Sequence, residues 1–131
     1  MLANEDSVML DRGRAREAHE KVNDLSLSDP DSRQKFRSYA LKAPSMLLSC
    51  GLGQTCAFLL AKEKKVFNAL AGWLKLKKYV ESEDKEILGD IVKMTPSRYR
   101  LAEREALAYL GWLKRMSEIY LKEDKGNKGK P

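Results

Sequence analysis

The residues of this sequence that could do covalent, metal or acid–base chemistry are two thiols, one imidazole and a scatter of carboxylates. Cys50 and Cys56 stand six positions apart. Zinc sites use two or four residues between paired ligands and need further Cys or His partners. The single histidine, His19, is far away in sequence, so no metal site is expected. The thiols are expected to be reduced and packed as small apolar residues. Acid–base catalysis requires a carboxylate or imidazole in a desolvated cleft. The carboxylates here cluster in helix starts and loops, where capping explains them, and His19 sits in a thin, charged helix that should leave it exposed. Gly51-Leu52-Gly53 has two glycines and no Gly-Lys-Ser/Thr after them, so it is not a Walker-type loop. Nothing in this set supports an enzyme, and no cofactor is expected.

Charge carries more information. The net charge is +6, and it is segregated along the chain. Residues 1–32 are net −4, residues 33–78 net +9 with Glu63 as their one carboxylate, residues 79–94 net −3 and residues 95–131 net +4. A long folded stretch with a single carboxylate suits a binder of backbone phosphate, although a solvated lysine-rich face has the same composition. The candidate RNA contacts are Arg33, Arg37, Lys64, Lys65 and Lys75, with Arg100, Arg104 and Arg115 on the last helix. Arg33 and Arg37 are one turn apart and share a helix face. Arg100, Arg104, Gly111, Arg115 and Lys122 fall on one line of a helix, and Gly111 would let a backbone or ligand approach closely. Glu118 lies in the same line, as a solvated face would have it.

The elements that must position these residues are helices. At 131 residues the chain is long enough for one domain with its own core. The spacing of apolar residues predicts helices over about 7–23, 30–43, 44–50, 52–62, 64–79, 84–93 and 96–123. Asp29 and Thr95 precede proline as N-caps. Pro44 is expected to restart the chain and Gly51 to stop a helix. Faces expected inside are Phe36, Tyr39, Ala40 and Ala43; then Ala57, Leu60 and Ala61; then Val66, Phe67, Leu70, Trp73 and Leu74; then Ile87, Leu88, Ile91 and Val92. The last helix has a core stripe of Tyr99, Ala102, Ala106, Tyr109, Leu113, Met116 and Tyr120. A second apolar stripe, Leu101, Ala108, Trp112 and Ile119, makes that helix either central in its bundle or open to a partner. Leu101, Trp112 and Ile119 are the candidate partner contacts. No segment alternates with the period of a strand. The expectation is an all-α, compact, single-domain bundle of six to seven helices over 1–123, with a disordered Lys/Gly tail at 124–131. The start of the chain has no apolar signal-peptide core. The apolar stretch 43–61 is broken by Ser45, Ser49, Gln54 and two glycines, so no membrane span is expected and a cytoplasmic location is.

Several stretches resemble a known family. They are Arg37-Ser38-Tyr39, Ala43-Pro44-Ser45-Met46-Leu47-Leu48, and Gly51-Leu52-Gly53-Gln54-Thr55-Cys56-Ala57-Phe58-Leu59-Leu60. In the last helix they are Tyr99-Arg100, Glu105-Ala106-Leu107 and Trp112-Leu113-Lys114-Arg115. In order and spacing they are similar to the small subunit of the Cmr complex, the type III-B CRISPR effector, over about residues 30–122. The Gly-Leu-Gly-Gln motif favours this family over the small subunit of the type III-A complex. Cys50 departs from the family, which more often has Asn or another polar residue there, and the acidic first helix and lysine tail have no match. The resemblance implies a helical bundle without enzymatic activity. It also implies copies of the chain stacked in a minor filament beside the backbone subunits, near the large subunit, lining the channel that holds the crRNA–target RNA duplex. Cleavage and nucleotide cyclisation would belong to other subunits. Such a channel must read backbone shape and charge, because it accepts any target. Two other readings fit the charge alone: a nucleic-acid-binding regulator, or a basic helical adaptor for an acidic protein, both unrelated to CRISPR. The regulator would need polar residues for base edges on a recognition helix, and the last helix offers none clearly.

Overall fold

The computed structural model describes residues 2–122, with side chains from Asp6 onward. The expected tail at 124–131 lies outside the described residues. Five helices follow in order: α1 (Leu2–Leu25), α2 (Pro30–Lys62), α3 (Lys64–Leu76), α4 (Glu86–Val92) and α5 (Pro96–Tyr120). Among the described residues there is no strand. The all-α bundle is as expected; the helix count is lower because the expected helices over 30–43 and 44–50 are continuous through Pro44, and the one over 52–62 follows across a kink within the same element.

That fusion occurs in α2. Asp29 caps its start, accepting from the Ser32 N–H at 3.0 Å, and Pro30 occupies the first turn. Pro44 does not restart the chain but sits inside the helix. An interior proline forfeits one hydrogen bond, yet Phe36, Ala40, Ala43 and Leu47 stay on one buried face across it. The actual break is at Gly51, whose φ of 87° and ψ of 170° are non-helical. Few residues other than glycine tolerate that region. Beyond the kink the buried residues are Leu52, Thr55, Cys56 and Leu59. The expected face of Ala57, Leu60 and Ala61 is wrong: Ala57 and Ala61 are exposed and Leu60 is half-buried. By length and composition alone α2 could cross a bilayer, but it is kinked at Gly51 and its apolar face packs on α5 and α3.

The other helices depart less. All five residues expected on the core face of α3 are buried, and α4 buries Ile87 and Ile91. Val92 is a correction, being 75% exposed, because the short α4 turns it away from the bundle. Between α3 and α4, Asp90 holds the loop by accepting from the Glu81 and Ser82 N–H groups at 2.9 and 2.8 Å. Helix α5 is central, packing against α1, α2 and α3. Its buried residues are Ala102, Glu105, Ala106, Tyr109, Leu110, Leu113 and Ser117, whereas Tyr120 of the expected stripe is half-exposed.

Candidate nucleic-acid and partner interface

Among the described side chains of helix α1 only Ala18 and Val22 are fully inside, so polar contacts complete its docking. The Arg14 guanidinium donates to both oxygens of Glu105, Nε at 2.6 Å and Nη2 at 2.9 Å. Trp73 Nε1 donates to the same carboxylate at 2.7 Å, and the Trp73 ring stacks on Tyr109 with centroids 5.6 Å apart. Burial alone would push the Glu105 carboxyl up, but the Arg14 and Trp73 hydrogen bonds outweigh it and hold it below the ordinary glutamate value. Arg14 also pairs with Asp11 at 3.1 Å, and Asp11 accepts from Trp112 Nε1 at 2.9 Å. The chain Trp73–Glu105–Arg14–Asp11–Trp112 runs from the core to the surface of α5. Sequence reasoning missed it, having assigned the carboxylates to caps and loops; an acidic residue in the middle of an apolar stripe was the available signal. Glu105 is saturated by donors already in the fold, which suits it to hold α1 rather than move protons.

The kink of α2 is built by α5. At Gly51 the helical hydrogen bonds lapse, and the freed donors find partners one helix away. The Leu52 N–H donates to Glu103 Oε2 at 2.9 Å, and the Gly53 N–H to the Tyr99 hydroxyl at 3.0 Å. The Gly-Leu-Gly and Tyr-Arg stretches of the sequence therefore meet in space. Beside this junction lies a groove of about 440 Å³ lined by Leu47, Leu48, Gly51, Arg100, Glu103, Arg104 and Leu107. Arg100 and Arg104 are exposed, and among the described residues neither has an ion pair.

The other candidate cations are placed differently. Arg115 is exposed and meets Glu118 at 3.4 Å. Arg33 and Arg37 are half-buried, and the Arg33 guanidinium donates to the Ser28 carbonyl. Gln34 reaches the Lys122 carbonyl at 3.1 Å, whereas Leu52 meets Glu103, so α2 and α5 run antiparallel. Arg33 and Arg37 thus sit at the opposite end of the pair from Arg100 and Arg104, roughly 25 Å away along the helices. Lys64 pairs with Asp84 at 2.8 Å and Lys75 pairs with Glu83, so the acidic loop after α3 answers both charges. Lys65 is exposed. The structure does not gather the eight cations into one site; it leaves Arg100, Arg104 and Arg115 as a line along α5.

Next to that line lies the second apolar stripe. Leu101 is 50% exposed and Ile119 57%, and Trp112 is half-buried with its indole held by Asp11. Ala108, Gly111, Trp112, Arg115 and Ile119 line a shallow groove. A Cβ on Gly111 would meet nothing within 4 Å, so nothing in the bundle approaches there and the notch stays open. Helix α5 is central, and among the described residues nothing covers this stripe at Leu101 and Ile119.

The residues of possible covalent or metal chemistry are scattered. Cys56 is buried, which pushes its thiol up to about 12, but Cys50 is exposed, not packed as expected. His19 is exposed with its ring edge-on to Tyr120. Among the described residues no group of three or more His, Cys, Asp or Glu could hold a metal ion.

The fold and this surface define a helical bundle whose central helix displays a cationic line beside an apolar one. The family described as CRISPR-associated protein (Cas_Cmr5) matches residues 10–120, and the chain belongs to it. It is 28% identical over 116 residues to the CRISPR system Cmr subunit Cmr5 of Thermus thermophilus, covering 83% of this chain and 93% of that one. The crystal structure of a CRISPR-associated Cmr5 family protein from the same organism matches with a TM-score of 0.73 at 26% identity, over 85% of this chain and 96% of that one. The resemblance read from the motifs is confirmed, and the family match reaches into α1, where no motif was recognised. Family membership makes this chain a small subunit of a Cmr complex with other Cmr subunits as partners.

Proposed function

We propose that this chain is a non-catalytic, minor-filament subunit of a type III-B effector acting in the cytoplasm. It contacts the crRNA–target RNA duplex through the α5 arginines, without base specificity. It packs against backbone and large subunits, and against copies of itself, through the neighbouring apolar stripe. The observation that carries this reading is the adjacency on α5, outside its buried arc, of Arg100, Arg104 and Arg115 with Leu101, Trp112 and Ile119. A filament subunit in a nucleic-acid channel needs both features: cations for phosphate, and an apolar patch for a neighbouring protein. The paired states of Lys64 and Lys75 make them secondary contacts.

The test is assembly. A Leu101→Asp/Ile119→Asp variant changes two exposed residues and should keep its helical circular dichroism and melting temperature. It is expected to be lost from co-purified Cmr complexes, while the wild-type chain is retained together with crRNA. Normal incorporation of the double variant would remove the apolar stripe from this role.

A further inference from the structure

The groove beside the α2 kink holds more chemistry than contact with a phosphate backbone requires. Its lining is aliphatic at Leu47, Leu48 and Leu107, and Leu48 is 72% exposed. Its cations are Arg100 and Arg104, unpaired among the described residues. The carboxylate in the lining, Glu103, accepts from the Leu52 N–H. The lining comes wholly from the two net-positive segments of the chain, 33–78 and 95–131; the acidic segments contribute nothing to it. A ligand that suits this groove has an anionic group and a flat, weakly polar body. A docked peptide would want several apolar anchors in register, and the groove offers one aliphatic site flanked by guanidinium groups. Planar guanidinium groups also stack on bases.

We propose that this groove takes one unstacked nucleotide of single-stranded RNA. The base lies against Leu48 and Leu107, and its phosphate is held by Arg100 and Arg104. The proposal rests on the RNA-contact reading above and sharpens it: α5 holds a nucleotide-sized seat in addition to a charged line. Base identity is not read, because the two arginines hold the phosphate, Glu103 already accepts from the Leu52 N–H, and the lining has no other polar side chain.

The experiment titrates the full-length protein with AMP and with ribose 5-phosphate, following backbone amides by NMR. AMP is expected to shift Leu48, Gly51, Arg100, Arg104 and Leu107, and to bind about tenfold more tightly than ribose 5-phosphate, the scale of roughly 55 Å² of base surface removed from water. Leu48→Ser, at an exposed position, should erase that advantage and leave ribose 5-phosphate binding unchanged. A single-stranded oligoribonucleotide should likewise lose affinity on removal of its bases with the wild-type protein, but not with the variant. Equal binding of AMP and ribose 5-phosphate, or shifts confined to other parts of the bundle, would overturn the proposal. So would a leucine-containing acidic peptide that binds these residues more tightly than AMP. The two readings fail separately. Salt-dependent binding of normal and base-free RNA with equal affinity removes only the seat, whereas no RNA binding at all removes the RNA contact with it.

Discussion

Glu105 is the residue on which α1 depends. Its side chain is 10% exposed and that of Arg14 15%, so neutralising Glu105 leaves the guanidinium in a poorly solvated place with Asp11 as its remaining counter-charge. A Glu105→Gln change should cost about 3 kcal/mol, at the lower end of the range for breaking a buried pair, measured by urea denaturation at neutral pH. The pH dependence has a definite sign. A carboxyl held below its unfolded value contributes stability that is complete above the ordinary glutamate range and is lost as pH falls through the lower, folded value. The gap between wild type and Glu105→Gln should therefore be widest at neutral pH and close in acid; a gap that widens in acid would refute the assignment. Thr55 is the opposite case. Its hydroxyl is buried with no hydrogen-bond partner among the described residues, so Thr55→Val, which keeps the shape and removes the unmet polar atom, should stabilise by about 1 kcal/mol. In the sequence Glu105 shows only as an acidic residue inside an apolar stripe; its partner does not show, because an ion pair spanning 91 positions leaves no local trace.

At the scale of elements, the contrast between Pro44 and Gly51 shows what was legible. Both were read as breaks, and only Gly51 is one. Proline lowers the local preference for helix, but burial of Ala40, Ala43 and Leu47 on a common face overrides a single missing hydrogen bond. Gly51 breaks the helix because its backbone adopts a conformation closed to other residues and because α5 supplies replacement acceptors. The α3 face was fully readable, since its large apolar residues recur at spacings of three and four. The face of 52–62 was not, because small residues lie on every side and Thr55 and Cys56 take core positions. Among the candidate cations, the charge surplus was legible but the pairing of Lys64 and Lys75 with the acidic loop was not, since it depends on how that loop folds back. The kink makes its own prediction. A Cβ at position 51 would stand 3.2 Å from Glu103 Oε2 and 3.4 Å from the Tyr99 hydroxyl, at a φ of +87°. Gly51→Ala should lower stability by about 2 kcal/mol, read as a lower melting temperature. An unchanged melting temperature would mean that the two halves of α2 can join straight.

For the whole molecule, the question is whether segregated charge amounts to a surface that acts as one. The arginines of α5 span Arg100 to Arg115, about 22 Å of helix axis. Phosphate contacts of this kind are shared, so replacing any one of these arginines by Ala should weaken RNA binding only slightly. Arg100→Glu/Arg104→Glu/Arg115→Glu replaces attraction by repulsion along the whole line and should weaken it far more. None of the three is buried, so the helical circular dichroism should persist. The isolated wild-type protein is expected to bind RNA weakly, without sequence preference and with affinity falling steeply as salt rises, because each neutralised phosphate releases condensed counterions. The triple reversal should flatten that salt dependence by about two to three phosphate contacts. The decisive measurement pairs the salt series with target-RNA cleavage by complexes reconstituted with the triple variant. If those complexes assemble, bind and cleave as the wild type does, the arginine line of α5 is a solvated face and the RNA contact lies elsewhere on the subunit.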